Sequence, residues 1–221
     1  MSTVILVPVK DPAKAKARMA PILTAEERSL LAQTMFEDLA EALCALSPER
    51  HVFLVTNSEA ASERARSLGW RVLWEEEQIS ESNSVDRASA LLAREGVAAA
   101  LRVPADVPLI RAQDIDELLS IVPDATSALL VPSWDRTGTN VLLRRPPDLF
   151  PSRFGPNSLV LHTQEAWRAQ VRLAIVENER IALDLDDAAD ILRFTELDSE
   201  TRTGRLLQKL RIAERIVQNV R

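Results

Sequence analysis

Short apolar runs alternate with longer amphipathic segments along almost the whole chain. Several of the apolar runs are continuous, which is typical of strands that are covered on both faces of a sheet. Strands that alternate with helices indicate an α/β fold with a mainly parallel sheet and right-handed crossovers. The predicted strands are Thr3–Val9, Val52–Thr56, Arg71–Trp74, Ala98–Val103, Ser127–Val131, Asn140–Arg144, Arg172–Val176 and Ile181–Leu185.

The amphipathic segments predict helices with recognisable ends. Thr24 and Glu27 form a capping box at the start of the first helix, and Gly69 and Gly96 end the next two. The predicted helices are Thr24–Leu46, Ser58–Leu68, Ser84–Arg94, Gln113–Ile121, Leu159–Ala169, Ala188–Phe194 and a long C-terminal helix at Glu200–Val220.

The arrangement of these elements predicts a single domain over residues 1–221. No linker rich in proline and glycine divides the chain, but the segment at about 132–166 interrupts the alternation and resembles a β-hairpin insertion over the edge of the sheet. The apolar stripe of the C-terminal helix must be buried against the sheet or against a second subunit. This stripe favours a homodimer.

Composition and charge narrow the classes of function. The 221 residues are 46% hydrophobic and carry a net charge of -6, which predicts a full core and argues against a nucleic-acid partner. No apolar run approaches the roughly 20 residues of a membrane span, and no signal peptide is recognisable. A single cysteine excludes an intrachain disulfide, and two histidines argue against a histidine-ligated zinc site or a Ser-His-Asp triad. We therefore expect a cytoplasmic protein without a membrane partner.

A cluster of cations follows the first predicted strand. It contains Lys10, Lys14, Lys16 and Arg18, while most other basic residues are arginine. A strand that opens into a cationic loop and then a helix is where α/β proteins hold phosphates. A solvated surface loop is the alternative interpretation.

Three aspartates are candidates for a metal site. Asp106 follows the strand Ala98–Val103, at the end of the sheet where α/β proteins bind ligands. Asp184 and Asp186 would lie about 7 Å apart on one face of a strand, where a divalent cation such as Mg²⁺ would offset their repulsion. Asp187 is better interpreted as a helix N-cap. A capping role for Asp106 and a solvated edge strand remain the alternatives.

Three weaker motifs accompany the aspartates. In Thr137–Asn140, a glycine and two hydroxyls could bind a phosphate or a carboxylate, although a hairpin turn uses the same residue types. Gly155 and Ser158 lie at a predicted helix N-terminus, which favours an anion, although a plain helix start is an equally good interpretation. Asn83 could cap a helix or bond a ribose or a base.

Taken in order, these motifs resemble the 2-phospho-L-lactate guanylyltransferases. The resemblance rests on Pro-Val-Lys and Ala-Lys-x-Arg, Pro-Ala-Asp-x-Pro-Leu, Gly-Thr-Asn, Arg-Phe-Gly-Pro-x-Ser and Leu-Asp-x-Asp, from Val4 to about Leu192. It implies a Rossmann-like nucleotidyltransferase fold of the GT-A-like type. It also implies transfer of GMP from GTP to 2-phospho-L-lactate, phosphoenolpyruvate or 3-phospho-D-glycerate, early in the biosynthesis of coenzyme F-420.

The resemblance also implies roles for individual residues. Three sets follow from it: Mg²⁺ ligands at Asp106, Asp184 and Asp186; phospho-acid contacts at Thr139, Gly155 and Ser158; and a GTP phosphate-binding loop at Lys10, Lys14, Lys16 and Arg18. Lys16 and Asp106 are the expected catalytic residues. Asn83 matches the asparagine of a Gly-Leu-Asn-like motif near the nucleotide, but this chain has Glu81 and Ser82 in place of the glycine and leucine.

Two other functions stay open at this point. One is a related transferase that acts on a sugar phosphate or on molybdopterin, although such enzymes usually open with a glycine-rich loop and this chain has no glycine before Gly69. The other is a non-catalytic nucleotide-binding domain. If the chain is a guanylyltransferase, one or two Mg²⁺ ions are its cofactor, and its product passes to the next enzyme of the pathway.

Overall fold

Within the described part of the chain, seven strands form one sheet that is flanked by helices. The computed structural model describes residues 3–11, 16–121, 126–197 and 200–219. The order across the sheet is β3-β2-β1-β4-β6-β5-β7. Only β6 runs antiparallel to its two neighbours, so the sheet is mainly parallel as predicted. The strands are β1 (Thr3–Val9), β2 (Val52–Thr56), β3 (Arg71–Trp74), β4 (Ala99–Arg102), β5 (Ser127–Pro132), β6 (Thr139–Arg145) and β7 (Leu173–Ile175).

Helices connect and cover the strands. A 3-10 turn at Ala17–Met19 precedes the first α-helix, and the predicted capping box of Thr24 and Glu27 is present. Asp187 caps the seventh helix, as predicted. The helices are α1 (Ala25–Cys44), α2 (Glu59–Ser67), α3 (Glu81–Arg94), α4 (Ala112–Ile121), α5 (Ser158–Arg168), α6 (Glu179–Ala182), α7 (Ala188–Glu196), α8 (Arg202–Lys209) and α9 (Ile212–Asn219).

The central strand β1 shows why continuous apolar runs predicted this architecture. Ile5 and Val7 pack on one face of the sheet, in a core cluster that includes Leu39 of α1. Leu6 packs on the other face, in a cluster that includes Leu92 of α3. Because helices cover both faces of the sheet, β1 does not need a polar residue at every second position.

The C-terminal segment differs from the prediction of one long helix. Arg211 has φ 53, in the left-handed region, and its backbone ends α8 and reorients α9. The two short helices fold back on the chain, so that Leu207, Ile212 and Ile216 are buried with Leu31 of α1. The apolar stripe is therefore largely covered within the chain, and it no longer gives a reason for the homodimer, which stays a prediction.

Two strand predictions also need correction. The hairpin β5–β6 exists, but β6 pairs with both β4 and β5 and so lies inside the sheet, not over its edge. The predicted strand Ile181–Leu185 is wrong. The side chain of Asn178 accepts hydrogen bonds from the N–H groups of Arg180 and Ile181 and starts the helical turn α6 instead.

None of the described helices has the length and apolar character needed to cross a membrane.

Candidate active site

Three carboxylates converge at the C-terminal end of the parallel strands. Asp106 lies in the loop after β4, and Asp184 and Asp186 lie in the extended segment after α6. One carboxylate oxygen of each aspartate lies within 4.8 Å of the other two. The Leu185 N–H donates to the Asp106 carbonyl at 3.1 Å and so joins the two segments. The predicted strand was wrong, but the predicted convergence of Asp106, Asp184 and Asp186 is observed.

Lys16 lies between two of these carboxylates. Its Nζ donates to Asp106 Oδ2 and to Asp186 Oδ1, each at 2.7 Å, and its side chain is only 6% exposed. Arg18 is exposed and lies 3.8 Å from Asp186. Lys16 itself is therefore not part of a solvated surface loop. Since α4 begins only at Ala112 and the Asp106 carboxylate bonds Lys16, Asp106 is not a helix cap.

The charges of the cluster change its pKa values in opposite directions. Burial alone would lower the pKa of Lys16, but the carboxylates of Asp106 and Asp186 outweigh burial and hold that pKa above its ordinary value. Burial would likewise raise the pKa of Asp106, yet the Lys16 charge keeps it below its usual range. Burial and then the charges of Asp106 and Asp186 raise the pKa of Asp184 to about 7. The cluster thus carries unbalanced negative charge around Asp184.

The carboxylate of Asp184 is held by an amide from β6. Asn140 Nδ2 donates to Asp184 Oδ1 at 3.1 Å and to the carbonyls of Ile181 and Ala182 at 2.8 and 2.9 Å. An amide that is buried and bonded in this way has one orientation. Asn140 therefore fixes the segment that carries two of the three aspartates.

A β-bulge at Asn140 lets two adjacent side chains of β6 reach different elements of the fold. Val131 pairs with Val141 and Pro132 pairs with Thr139, so Asn140 is an extra residue on β6. A bulge re-aims the side chains around it. As a result Asn140 reaches the aspartate segment, while Thr139 reaches α5.

A buried arginine, which no sequence motif indicated, adds positive charge beside the aspartates. Arg102, at the end of β4, forms an ion pair with Glu81 and donates to the Asn140 carbonyl. Its guanidinium lies over the Phe154 ring, 4.2 Å from the ring centre. Burial lowers the pKa of Arg102 to about 10, and the charge of Asp106 opposes this effect. The one feature of the sequence that could have indicated this role is that Arg102 is the single charged residue in the apolar run Ala98–Val103.

The three predicted phospho-acid contacts lie near one another around the start of α5. Ser158 is the first residue of α5 and is buried, and Thr139 Oγ1 lies 3.0 Å from Nδ1 of His162 on the same helix. Gly155 has φ +118, which favours glycine, and a Cβ there would meet nothing within 4 Å. The Ser158 N–H donates to the Gly155 carbonyl, so the helix N-terminus offers fewer free N–H groups than predicted. The hydroxyls become the more important donors.

The remaining nucleotide-binding candidates are less closely grouped. Lys10 is exposed and lines a cavity, whereas Lys14 lies outside the described residues. Asn83 does not cap α3, because Ser80 does so. It lies in the first turn of that helix, and its side-chain oxygen is buried without a hydrogen-bond partner among the described residues.

A cavity of about 610 Å³ adjoins the acidic cluster. Its lining includes Lys10, Lys16, Asp106 and Asp186 together with apolar residues of α1 such as Met35. Cavities of this size, mostly apolar with a few convergent polar groups, are typical of small-molecule sites. This one places an apolar surface next to both cations and carboxylates.

The sequence matches a known family over almost its full length. The family model described as "Guanylyl transferase CofC like" matches residues 3–219. A phosphoenolpyruvate guanylyltransferase of Rubrobacter xylanophilus is 35% identical over 194 residues, which is 88% of this chain and 94% of that protein. A 3-phospho-D-glycerate guanylyltransferase of Colwellia psychrerythraea is 31% identical over 199 residues, covering 90% and 94%. A 2-phospho-L-lactate guanylyltransferase of Methanothermobacter thermautotrophicus is 29% identical over 214 residues, covering 96% and 92%.

Solved structures confirm the fold class. A Desulfovibrio desulfuricans G20 chain described as a nucleotide-diphospho-sugar transferase superposes with a TM-score of 0.79 at 16% identity, over 99% of this chain and 98% of that one. A cytidylyltransferase of Leptospira borgpetersenii superposes with a TM-score of 0.60 at 16% identity, over 99% and 98%. The fold is that of nucleotidyltransferases, and the family match over residues 3–219 makes this chain a member of the CofC-like guanylyl transferases.

Proposed function

We propose that this protein transfers GMP from GTP to a three-carbon phospho-acid and releases pyrophosphate. Membership of the guanylyl transferase family supports the reaction type. The names of relatives at 29–35% identity support an acceptor that is phosphoenolpyruvate, 3-phospho-D-glycerate or 2-phospho-L-lactate. The convergence of Asp106, Asp184 and Asp186 around Lys16, beside a cavity, is the observation that carries the proposal.

The nucleophile in this reaction is the phosphate of the acceptor. Its second pKa is about 6, so at neutral pH it is mostly a dianion and needs no general base. One of its oxygens forms a bond to the α-phosphorus of GTP while the bond from that phosphorus to the leaving pyrophosphate breaks. The histidine near the acceptor motif, His162, has both ring nitrogens occupied by hydrogen bonds, which agrees with a reaction that needs no base.

The main barrier to the reaction is the repulsion between two polyanions. We assign Lys16 to the GTP phosphates and to the transition state, with Lys10, Lys14 and Arg18 as further phosphate contacts and Asn83 beside the nucleoside. Positive groups that are fixed in place before the reaction stabilise the charge that develops on the departing pyrophosphate. Lys16 is fixed in this way, because two carboxylates hold its ammonium group.

The acidic cluster fits a magnesium ion. Asp106, Asp184 and Asp186 offer carboxylate oxygens, the hard ligands that Mg²⁺ prefers, within 4.8 Å of one another. One or two Mg²⁺ ions bound there would neutralise phosphate charge and orient the reacting groups. The Lys16 ammonium bonds two of the same carboxylates, so Lys16 and a bound metal would share ligands.

The acceptor is assigned to the other side of β6. Thr139 and Ser158 offer hydroxyl donors, and a Cβ on the nearby Gly155 would meet no atom within 4 Å. Neutral donors of this kind suit the carboxylate and phosphate of a small acid. We further propose that the reaction takes place in the cytoplasm, in the biosynthesis of coenzyme F-420, and that its product passes to the next enzyme of that pathway.

A matrix of substrates tests the reaction. Each of the four ribonucleoside triphosphates is combined with each of the three phospho-acids and Mg²⁺, and products are identified by mass spectrometry. We expect a GMP adduct and pyrophosphate with at least one acid. Formation of no nucleotidyl product with any pair would contradict the proposed function.

Variants test the acidic cluster in the same assay. Asp106→Asn and Asp184→Asn should each lower turnover by at least about a hundredfold, since each removes a carboxylate that would hold the charge-neutralising Mg²⁺ at the transition state. Asp116→Asn is the control, because Asp116 is about half exposed on α4 and its one ion pair among the described residues is a 3.9 Å contact with Arg50. Near wild-type turnover of either cluster variant at saturating Mg²⁺ would contradict the assignment.

A further inference from the structure

His162 joins the two acceptor motifs through a single buried ring. The side chain is fully buried on α5. Its Nε2 accepts a hydrogen bond from the backbone N–H of Arg153 at 2.8 Å, and its Nδ1 lies 3.0 Å from Thr139 Oγ1. The ring therefore contacts both the Thr137–Asn140 motif and the loop that leads to Ser158.

These two contacts determine which ring nitrogen carries the proton. A backbone N–H can only donate, so Nε2 has no hydrogen and the neutral ring must carry its hydrogen on Nδ1. Thr139 Oγ1 can then only accept from the ring. No other hydrogen bond of this hydroxyl exists among the described residues, so its own hydrogen remains available to a ligand.

The surroundings of His162 keep it neutral. Burial, followed by the charges of Arg102 and Arg144, lowers its pKa to about 3; the Ser158 carbonyl acts in the opposite direction, and Arg153 lowers the pKa further. A neutral ring has one donor and one acceptor, so the direction of each hydrogen bond is fixed at physiological pH.

Packing holds the ring in this orientation. The Phe154 ring contacts the His162 ring edge to face, with centres 4.9 Å apart and planes at 66°. The same Phe154 stacks under the guanidinium of Arg102, and its N–H donates to Ser82 Oγ on α3. The loop is thus anchored on both sides, and His162 has little freedom to rotate.

We propose that His162 is a positioning residue that fixes the Thr139 hydroxyl as a hydrogen-bond donor to an anionic oxygen of the acceptor. It acts through Thr139 and does not touch the acceptor. The Arg153 N–H, in turn, selects the tautomer and couples the loop before α5 to this donor. The inference rests on the proposed function only in the identity of the ligand, because the tautomer is a property of the free protein.

The tautomer is tested first, on the wild-type protein without substrate. Two-bond ¹H–¹⁵N correlation spectra distinguish the two neutral tautomers and the charged ring. Only two histidines are present, and His51 is exposed and serves as the internal control. We expect His162 to remain neutral with hydrogen on Nδ1 from pH 5 to pH 8. A neutral ring with hydrogen on Nε2, or a charged ring at pH 7, would overturn the proposal.

Two substitutions separate the two hydrogen bonds. His162→Asn keeps an amide close to the position of Nδ1, and His162→Gln places its amide close to Nε2 and leaves no donor for Thr139. We expect His162→Gln to raise the KM for the phospho-acid about tenfold or more, the usual effect of losing a hydrogen bond to a charged group, with the KM for GTP within twofold. The KM of His162→Asn for the phospho-acid should lie closer to the wild-type value, and the KM of the control His51→Gln should equal the wild-type value. Equal losses in the Asn and Gln variants would overturn the proposal.

A double-mutant cycle shows whether His162 acts through Thr139. In a Thr139→Val background, which lacks the hydroxyl, His162→Gln should add less than a twofold change in acceptor KM. If the full loss persists in that background, His162 has only a structural role and the proposal is wrong. A wild-type protein that transfers GMP to no phospho-acid would overturn the proposed function, while the tautomer would still be decided by the spectra.

Discussion

Replacing Lys16 with methionine should destabilise the protein when no divalent cation is present, and Mg²⁺ should restore much of the loss. Methionine keeps most of the apolar stem but removes the ammonium group that bonds Asp106 and Asp186, each at 2.7 Å. Without it, Asp106 and Asp186 face Asp184, and the positive charges that remain nearby among the described residues are those of Arg102 and the exposed Arg18. The folded state then carries a repulsion that the unfolded chain does not.

The magnitude follows from the burial of the three groups. Removing one partner of a fully buried ion pair costs about 3–5 kcal/mol. The Lys16 side chain is 6% exposed, but those of Asp106 and Asp186 are 28% and 43% exposed, so solvent screens part of the effect. We expect a loss of about 2 kcal/mol, which for a chain of this length lowers the melting temperature by about 4–8 °C.

Thermal unfolding in EDTA and in 10 mM Mg²⁺ measures both parts of the prediction. In EDTA, the melting temperature of Lys16→Met should lie about 4–8 °C below that of wild type. Mg²⁺ should raise its melting temperature more than that of wild type, because the metal no longer competes with an ammonium group for the same carboxylates. The control is Lys10→Met, since Lys10 is exposed and forms no ion pair with another described residue.

Two results would refute this reasoning. If Lys16→Met melts at the same temperature as Lys10→Met in EDTA, the Lys16 ion pairs do not stabilise the fold. If Mg²⁺ stabilises Lys16→Met no more than wild type, the metal and Lys16 do not share ligands.

Two further predictions concern stability away from the acidic cluster. Asp38 of α1 accepts hydrogen bonds from the N–H groups of Arg202 and Thr203 at 2.9 and 2.8 Å, so Asp38→Ala should lower the free energy of unfolding, measured in urea, by about 1–2 kcal/mol. The control Glu41→Ala, which removes only an exposed ion pair, should change the free energy of unfolding little, and equal losses in the two variants would contradict the role of Asp38. Burial lowers the pKa of His162 to about 3 in the folded protein, so the unfolded chain binds more protons than the folded one between about pH 3 and pH 6.5. The stability that the neutral His162 ring contributes is therefore complete above pH 6.5, and it falls by about 1.4 kcal/mol for each pH unit below that value. Between pH 7 and pH 5 wild type should therefore lose about 2 kcal/mol more than His162→Gln, and equal losses would be inconsistent with a neutral buried ring.

Local patterns in the sequence predicted most of the secondary structure. Continuous apolar runs such as Thr3–Val9 indicated strands covered on both faces, and the capping box at Thr24 marked the start of α1 to the residue. These signals succeed because the N-cap hydrogen bonds are made within one turn of chain. The segment Leu183–Asp187 does lie at the site, but not as part of the predicted strand, because it follows the helical turn α6.

The residues of the candidate site were also partly accessible from the sequence. Asp106, Asp184 and Asp186 were predicted to converge, and they do. Arg102 was missed, because a single arginine in an apolar run has the same pattern whether it faces solvent or stacks on Phe154. Its ion pair with Glu81 joins β4 to α3, and no local pattern predicts such a contact.

By itself, the sequence determined the fold class, the family and the approximate place of the charged groups, because hydrophobic periodicity, caps and motif order are local along the chain. Only the tertiary structure decided the position of β6 inside the sheet, the bulge at Asn140 and the break in the C-terminal helix at Arg211. It also decided that Lys16 is buried between two carboxylates and that His162 bonds Thr139. Each of these depends on contacts between segments far apart in sequence, and their energies arise only when the chain is packed.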